Sequence, residues 1–257
     1  MPAPKNPLKA SLKNGELQIG CWLSLGESYT AEIAATAGFD WLLVDGEHAP
    51  NDLRSTRDQL QVIDPSPSHA IVRVAFGDAW IIKQVLDAGA QSVLVPMVES
   101  AEQAKQLVRA VRYPPKGMRG VGSTGARASR FGAIADYAHT ADDQICLLVQ
   151  VENRAGLAAL DEILDVDGVD AVFIGPSDLA ADLGHIGNTE APEVQAAIED
   201  ALGRIAKSDK AAGILALTPP VAKRYVEMGA TFIAAAMDVQ LLANALRSAA
   251  TEADKLR

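Results

Sequence analysis

Cysteine is scarce in this sequence: Cys21 and Cys146 are the only two among 257 residues. Both lie inside apolar, strand-like runs that are far apart in the chain. If these runs are the first and fifth strands of a barrel, the two thiols face different regions and cannot pair. Reduced core thiols are typical of a cytoplasmic protein. We therefore expect no disulfide and a cytoplasmic location.

The sequence also lacks long apolar runs and an excess of positive charge. No run reaches the roughly 18 apolar residues of a membrane span, and the segment 1–15 lacks the apolar core of a signal peptide. The 33 acidic residues outnumber the 23 lysines and arginines, for a formal net charge of −10. Nucleic acids and anionic membranes need a basic face. We expect neither as a partner, and a small molecule instead.

What is present is a regular alternation of strand-like and helix-like segments from end to end. Asn51, Asp78 and Ser100 each precede a helical stretch as predicted caps, and Gly38, Gly89 and Gly229 stand where helices must stop. The predicted strands are 18–23, 40–45, 70–74, 91–95, 145–151, 169–174, 211–216 and 230–236. The predicted helices are 28–37, 51–62, 78–88, 100–111, 154–164, 191–208, 218–228 and 238–253.

Eight strand–helix units predict either a (β/α)₈ TIM barrel or a doubly wound open sheet. The count of eight, and the lack of a nucleotide fingerprint after the first strand, favour the barrel as a single α/β domain over 1–257. Two connections are too long to be simple links, namely 112–143 and 177–191. Long loops without strong periodicity are usually functional or interfacial.

Two carboxylates follow neighbouring predicted strands and suggest a metal site. Glu152 ends the fifth strand and Asp178 follows the sixth, where the active site of a barrel forms. Either could be a helix cap or a first-turn acid, but together they make an oxygen-rich site suited to Mg²⁺ or Mn²⁺. Gln150 projects to the same side of its strand as Glu152. Gly175-Pro176 forms a tight turn whose amides can approach a substrate carboxylate.

The remaining candidates lie at the same predicted rim. His48 is the only one of four histidines at the catalytic end, and Asp45 stands close enough in sequence to orient its imidazole. A capping or surface histidine is the simpler interpretation. Arg73 interrupts an apolar strand and needs a polar partner, which is either a buried ion pair or a substrate oxyanion.

Two further patterns limit the chemistry. The lysines fall in the N-terminal tail, helices and loops, and Lys210 precedes the seventh strand at the wrong end. This argues against an aldolase that forms an imine on lysine.

The segment 120–125 matches G-x-G-x-x-G but follows no strand and opens no clear helix, so the match is weak. The surrounding arginines favour a mobile loop that borders the site over a nucleotide-binding motif.

Several blocks of the sequence resemble those of a known family, the HpcH/HpaI aldolases. The resemblance runs from about Leu8 to Leu246 and is strongest to the branch acting on 4-hydroxy-2-oxoheptane-1,7-dioate and 2-keto-3-deoxy-glucarate. The specific blocks are Gly20-Cys21-Trp22, Trp41-Leu42-Leu43-Val44-Asp45-Gly46-Glu47-His48-Ala49-Pro50, Tyr113-Pro114-Pro115, Arg119-Gly120-Val121-Gly122, Leu148-Val149-Gln150-Val151-Glu152 and Phe173-Ile174-Gly175-Pro176-Ser177-Asp178-Leu179.

The resemblance implies a (β/α)₈ barrel and a class II pyruvate aldolase that uses Mg²⁺, Mn²⁺ or Co²⁺. It also implies a hexamer, a dimer of trimers, in which the last helix packs on a neighbour. Residue by residue, the resemblance matches Glu152 and Asp178 to the metal ligands, His48 to the base, Asp45 to its carboxylate partner and Arg73 to the arginine at the pyruvate oxygen. It also matches Gln150 to the site glutamine, and the amides of Ser177 and Asp178 to the carboxylate cradle.

The sequence departs from the family pattern after the late strands. Leu217-Thr218-Pro219-Pro220 and Ala234-Ala235-Ala236-Met237 depart from the branch, which leaves the aldehyde preference open while the pyruvate half is retained. The main alternative keeps fold and metal but cleaves a CoA thioester, as in citrate lyase and malyl-CoA lyase. Such a substrate needs a basic surface, and the sequence offers little beyond 112–130. A phosphate-substrate isomerase and a non-catalytic barrel are further alternatives.

Overall fold

The computed structural model describes residues 1–257 and contains eight strands and twelve α-helices. The strands are β1 (Gln18–Leu23), β2 (Trp41–Asp45), β3 (His69–Arg73), β4 (Ser92–Val95), β5 (Cys146–Val151), β6 (Ala171–Ile174), β7 (Ala211–Leu215) and β8 (Phe232–Met237). The helices are α1 (Pro7–Lys13), α2 (Ser28–Ala35), α3 (Leu53–Ile63), α4 (Ala79–Asp87), α5 (Ala101–Val111), α6 (Tyr137–Thr140), α7 (Arg154–Ala158), α8 (Leu160–Leu164), α9 (Pro176–Asp182), α10 (Pro192–Ile205), α11 (Pro219–Glu227) and α12 (Asp238–Asp254).

The strands form one closed parallel barrel in sequential order, and β1 pairs with β8 to complete the ring. The TIM barrel predicted from the sequence is therefore confirmed. Every predicted strand is present within about two residues of its expected bounds, because each is a short apolar run bounded by polar or glycine residues. Since all strands run in one direction, their C-terminal ends share one face of the barrel.

The barrel is filled by large side chains rather than by solvent. Trp41 stacks on Phe232 with ring centroids 4.3 Å apart, and Phe232 meets Phe173 edge to face at 5.9 Å. Gly20 leaves room for the indole, since a Cβ there would lie 2.0 Å from a ring carbon of Trp41. A second, larger apolar layer of 48 buried residues packs the helices against the outside of the strands. This solid core leaves the strand ends as the place for a site.

The caps and glycine stops of the helices agree with the prediction except at the start of α3, where the cap lies one residue later. Asp78 and Ser100 cap α4 and α5 as predicted, accepting from the amides of Trp80 and Gln103. For α3 the cap is Asp52, not Asn51 as predicted. Asn51 instead donates from its side chain to the carbonyl oxygen of Asp45 at 2.8 Å. The predicted glycine stops are confirmed, because Gly38, Gly89 and Gly229 all have positive φ angles.

Helix α1 closes the N-terminal end of the barrel and was not predicted from the sequence. Leu8 and Leu12 from this helix pack into the interior cluster. Asn6 caps the helix and also donates to Ser92 Oγ at 3.1 Å, while His69 Nε2 lies 2.9 Å from the same hydroxyl. The segment is short and rich in lysine and proline, so its two leucines gave little periodic signal. It anchors the end opposite the strand C-termini.

The long connection 112–143 does not border the site within this chain, contrary to the prediction. It joins α5 to β5, and therefore reaches the N-terminal face of the barrel. Arg119 Nη2 contacts Asp87 of α4 at 2.7 Å, and Arg127 Nη2 contacts Asp64 at 3.1 Å, just after α3. The G-x-G-x-x-G segment opens only a three-residue 3₁₀ turn, Ser123–Gly125. Its rejection as a nucleotide fingerprint agrees with this geometry.

The second long connection contains a helix that the prediction missed. Residues 177–191 were expected to be a loop, but α9 begins at Pro176 and ends at Asp182. Proline at the first helical position has its φ preset for a helix start, and it directly follows the glycine turn. Asp178 is therefore a first-turn residue of α9. Helix 154–164 is divided into α7 and α8.

None of the twelve helices combines the length and the apolar character needed to cross a membrane.

Candidate active site

A cavity of about 270 Å³ opens at the C-terminal ends of the strands. We call it the site cavity. The structure brings together every residue that the sequence analysis nominated, and the walls contain no lysine. The lining residues are Trp22, Ser24, Asp45, His48, Arg73, Gln150, Glu152, Phe173, Gly175, Pro176, Ser177, Asp178, Leu215, Met237 and Val239.

Arg73 is the buried cation of the site and is held by two carboxylates. Its Nε and Nη2 donate to the two oxygens of Asp45 at 2.9 and 2.7 Å, and its Nη1 lies 2.8 Å from Glu47 Oε2. The guanidinium also lies 4.8 Å from the ring centre of Trp22, whose Nε1 donates to Asp45 at 3.1 Å. Of the two predicted alternatives for Arg73, the ion pair is therefore present, and the side chain still lines the site cavity.

In this structure the carboxylate of Asp45 makes no contact with the imidazole of His48, so its role as the partner of the ring stays a prediction. Oδ1 of Asp45 accepts from the backbone amides of Glu47 and His48 at 3.0 and 3.3 Å, and both oxygens bind Arg73. Burial acts to raise the pKa of Asp45, but the hydrogen bonds and charge of Arg73 outweigh it and lower the pKa. Asp45 thus stays ionised and shapes the turn that carries His48.

The His48 ring is accessible rather than enclosed. Its side chain is 66 % exposed, and its nearest acid is Glu47, with Nε2 3.9 Å from Oε1. The ring lines the mouth of the site cavity without a close hydrogen-bond partner in the chain. A free imidazole at the rim of a cavity can exchange a proton with a bound molecule.

Glu152 is buried at the end of β5 and has no ion-pair partner in the chain. Its Oε1 accepts from the Met97 amide at 2.8 Å and its Oε2 from Gln150 Nε2 at 2.8 Å. This contact confirms that Gln150 and Glu152 share one side of the strand. Burial raises the pKa of Glu152 to about 7, and the nearby charges of Asp178 and Glu47 act in the same direction. A bound cation would relieve this accumulation of negative charge.

Gly175 allows the β6–α9 turn to approach Glu152. A Cβ at this position would lie 2.1 Å from Glu152 Oε2, so no other residue fits without displacing the carboxylate. The first amides of α9 follow, including those of Ser177 and Asp178, and they have no acceptor within the helix. The turn therefore places the amides of Ser177 and Asp178 on the same wall of the cavity as the carboxylate of Glu152.

The carboxylates of Glu152 and Asp178 suit a hard divalent cation that keeps some coordination positions open for substrate and water. No group of three or more His, Cys, Asp or Glu side chains is arranged to enclose a metal, and only Glu152 and Asp178 among the cavity acids are free of an arginine. Mg²⁺ is commonly held by one or two carboxylates together with substrate and water. Two protein carboxylates beside free amides match that pattern, and the absence of a thiolate argues against a closed structural zinc site.

Three residues that contact the nominated polar side chains were not themselves nominated from the sequence. Glu47 follows β2 and pairs with Arg73, and burial raises its pKa. Met97 adopts a left-handed φ of 54°, which directs its amide to Glu152. Trp22 packs on Arg73. A positive φ at methionine gives no sequence signal. Glu47 could have been selected, since it lies between two nominated residues.

Comparisons with known proteins identify the family of this chain. The family model described as HpcH/HpaI aldolase/citrate lyase matches residues 18–245. Hydroxypyruvate/pyruvate aldolase of Roseovarius nubinhibens is 59% identical over 247 residues, covering 96% of each chain. 4-Hydroxy-2-oxo-heptane-1,7-dioate aldolase of Escherichia coli is 55% identical over 246 residues, covering 96% of this chain and 94% of the relative.

A solved structure shares the whole architecture. A HpcH/HpaI aldolase/citrate lyase family protein from Burkholderia cenocepacia superposes with a TM-score of 0.94 at 40% identity, over 97% of this chain and 100% of the other. The matched family model spans the whole barrel from β1 into α12, and the nominated residues converge on one cavity. The chain therefore belongs to the HpcH/HpaI aldolase/citrate lyase family.

Proposed function

We propose that this chain is a metal-dependent aldolase that reversibly cleaves a 4-hydroxy-2-keto acid into pyruvate and an aldehyde. The observation that carries the proposal is the site cavity, which combines two carboxylates free of arginine, a buried guanidinium and an accessible imidazole at one barrel rim. The relatives named as aldolases at 55–59% identity support it.

Glu152 and Asp178 are the residues that would hold the divalent ion. When bound, the ion supplies Lewis acidity to a 2-keto acid. The amides of Ser177 and Asp178 would bind the substrate carboxylate, and Gly175-Pro176 set the turn that presents them. Gln150 would fix Glu152 in place through its hydrogen bond.

His48 is the proposed base. It would remove the proton of the C4 hydroxyl, whose bonding electrons then form the aldehyde carbonyl as the C3–C4 bond breaks. The electron pair of that bond is left on the three-carbon fragment as the enolate of pyruvate, and protonation at C3 yields pyruvate. The exposed ring suits this exchange, because His48 must take up a proton and release it in each cycle.

Arg73 would stabilise the negative charge that develops on the enolate oxygen. Asp45 binds the guanidinium through two hydrogen bonds and so acts as a positioning residue. Since Arg73 is shared between Asp45 and Glu47, its charge is partly balanced before a substrate arrives.

Pyruvate release tests the proposed function. We expect the purified protein to form pyruvate from a panel of 4-hydroxy-2-keto acids with Mn²⁺, and to lose this activity after treatment with EDTA. Malyl-CoA serves as the competing substrate for the thioester lyase alternative. That alternative is less supported, because the basic segment 112–130 lies at the other end of the barrel from the site cavity. Cleavage of malyl-CoA alone would reverse the assignment.

We also propose that the chain assembles into a hexamer through its last helix. Helix α12 has no buried residue, and Leu241, Leu242 and Leu246 are 57, 47 and 61% exposed. Exposed leucines on one helix are typical of a subunit contact. Light scattering tests this by measuring the mass of the assembly. We expect Leu246→Asp to lower that mass and Asn244→Asp to leave it unchanged.

We also propose a cytoplasmic location, which the two free, buried cysteines support.

A further inference from the structure

A second cavity of about 210 Å³ adjoins the site cavity. We call it the side cavity. The two share Pro176, Ser177 and Leu215 as common walls. Its outer wall comes from the end of the α9–α10 connection and from the β7–α11 turn, which carries the atypical segment Leu217-Thr218-Pro219-Pro220. The proposed pyruvate contacts do not extend to this outer wall.

The side cavity has no free positive charge on its walls. Its only charged lining residue is Glu190. Both oxygens of Glu190 accept from Arg224, at 3.0 and 3.1 Å, and the guanidinium also lies over the ring of Tyr225 at 5.1 Å. Both terminal nitrogens of the arginine are therefore engaged by the carboxylate of Glu190. A second carboxylate placed here would face Glu190 without a cation of its own, which is unfavourable.

The side cavity instead offers hydroxyl groups. Thr218 occupies the cap position of α11, where a threonine usually accepts from the helix amides, but its side chain makes no such bond and lines the cavity. Thr189 also lines the cavity, and its carbonyl oxygen accepts from Gln195 at 2.7 Å. Ser177 lies between the two cavities. These groups can donate to and accept from an uncharged polar ligand.

We propose that the side cavity receives the chain of the aldehyde substrate and selects uncharged, hydroxyl-bearing aldehydes over carboxylated ones. This inference rests on the proposed aldolase function and names the substrate class of its second half. The pyruvate half occupies the wall formed by Glu152, Asp178 and Arg73. The carbons beyond the aldehyde carbonyl then extend past Ser177 and Leu215 toward Thr218, and Glu190 disfavours a terminal carboxylate.

The first test compares aldehydes in the synthetic direction with pyruvate and Mn²⁺. We expect wild-type kcat/KM for glyceraldehyde to exceed that for succinic semialdehyde by about tenfold or more, because a carboxylate in the side cavity would face Glu190 and have no cation of its own. Val221→Phe should fill the side cavity and lower kcat/KM for glyceraldehyde by about tenfold. Val226→Phe, exposed on the same helix and outside the cavity, should leave it unchanged. Equal losses in both variants would overturn the inference.

A charge variant gives an independent result if Val221→Phe does not fold. Glu190→Gln removes the excluding carboxylate and frees Arg224, so the preference for glyceraldehyde over succinic semialdehyde should fall about fivefold or more. Glu193→Gln, which alters the contact of Glu193 with His185, is the matched control. An unchanged preference in Glu190→Gln would contradict the inference.

Exchange of the pyruvate methyl protons in D₂O separates this inference from the proposed function. The exchange needs the pyruvate half of the site but no aldehyde, so it should stay within about twofold of wild type in Val221→Phe and Glu190→Gln. Normal exchange with unaltered aldehyde preference would reject the side cavity alone. Absence of exchange in the wild-type protein would reject the aldolase function and this inference with it.

Discussion

His48 differs from the other polar residues of the site in its exposure and in its lack of a close partner. General base catalysis contributes about 10²–10⁴ in rate, so His48→Ala should lower kcat for pyruvate release by about that factor. Metal affinity should stay within a few-fold, because His48 is not among the proposed ligands. His139→Ala is the control, since that histidine is exposed on α6. A kcat equal to wild type would remove His48 from the mechanism.

Gly175 gives a second prediction at the residue scale. Because a Cβ would lie 2.1 Å from Glu152 Oε2, Gly175→Ala should displace that carboxylate and weaken Mn²⁺ binding by about tenfold or more. Titration calorimetry measures the affinity, and circular dichroism checks that the fold is retained. Gly203→Ala is the matched control, because a Cβ at Gly203 meets no atom within 4 Å. Equal Mn²⁺ affinities in the two variants would contradict the tight approach.

The sequence could predict which residues lie at the rim of the barrel, because that depends only on the direction of the parallel strands. Parallel strands bring their C-terminal ends together, so Asp45, Arg73, Glu152 and Asp178 could be expected at one rim. Their pairings were less predictable, because they depend on side-chain directions between strands. Asp45 stands beside Arg73 in the register of β2 and β3, and this neighbour takes the carboxylate that sequence proximity had suggested for His48.

The α5–β5 connection shows the same limit at the scale of an element. Its length and arginines suggested a mobile loop at the site, but Arg119 is only 1% exposed and lies 4.5 Å from the ring centre of Tyr113. The ion pair of Arg119 with Asp87 attaches the segment to α4, and the contacts of Arg119 with Tyr113 and Tyr137 hold the segment together. Sequence composition cannot distinguish such a buried arginine from one on a mobile loop, because both occur in glycine-rich segments.

This buried arginine predicts a loss of stability without a direct loss of chemistry. Arg119→Ala removes the contact with Asp87 at 2.7 Å and the packing between Tyr113 and Tyr137. We expect the free energy of unfolding to fall by about 3 kcal/mol. Arg130→Ala, at an exposed position of the same segment, should change it by about 0.5 kcal/mol or less. Urea unfolding measures both. A similar small effect in both variants would place Arg119 outside the stable core.

At the scale of the whole molecule, the end of the barrel opposite the site predicts a sensitivity to acid. Burial lowers the pKa of His69 from 6.5 to about 4, while Asp64 acts weakly in the opposite direction. Below pH 6.5 the unfolded chain takes up a proton that the folded chain excludes. The stabilising contribution is therefore complete above pH 6.5 and is lost as the pH falls toward 4.

Between pH 7 and pH 5 we expect His69 to account for a loss of about 1–2 kcal/mol in the free energy of unfolding. His69→Gln should be less stable at pH 7, because the contact with Ser92 is altered, but its stability should decline less with acid. Urea unfolding of both proteins at the two pH values measures the difference. Parallel declines would show that His69 is protonated equally in both states.

The architecture as a whole was the most predictable level. Eight apolar strands alternating with capped helices leave few alternatives to a closed parallel barrel. The structure adds only α1, α6, α9 and three short 3₁₀ turns to the predicted elements, and divides the helix 154–164 in two. The side cavity proposed for the aldehyde was the least predictable part, because most of its lining comes from segments 177–191 and 216–221, which have little periodic signal.

The most direct test of the central claim is exchange of the pyruvate methyl protons for deuterium, followed by NMR with and without Mn²⁺. The measurement reports enolate formation, and it does not depend on which aldehyde the enzyme prefers. We predict rapid exchange in the Mn²⁺-loaded wild-type protein, and none above background after EDTA treatment or in Glu152→Ala and Asp178→Ala. Exchange that persists in the metal-free protein or in these variants would contradict the account.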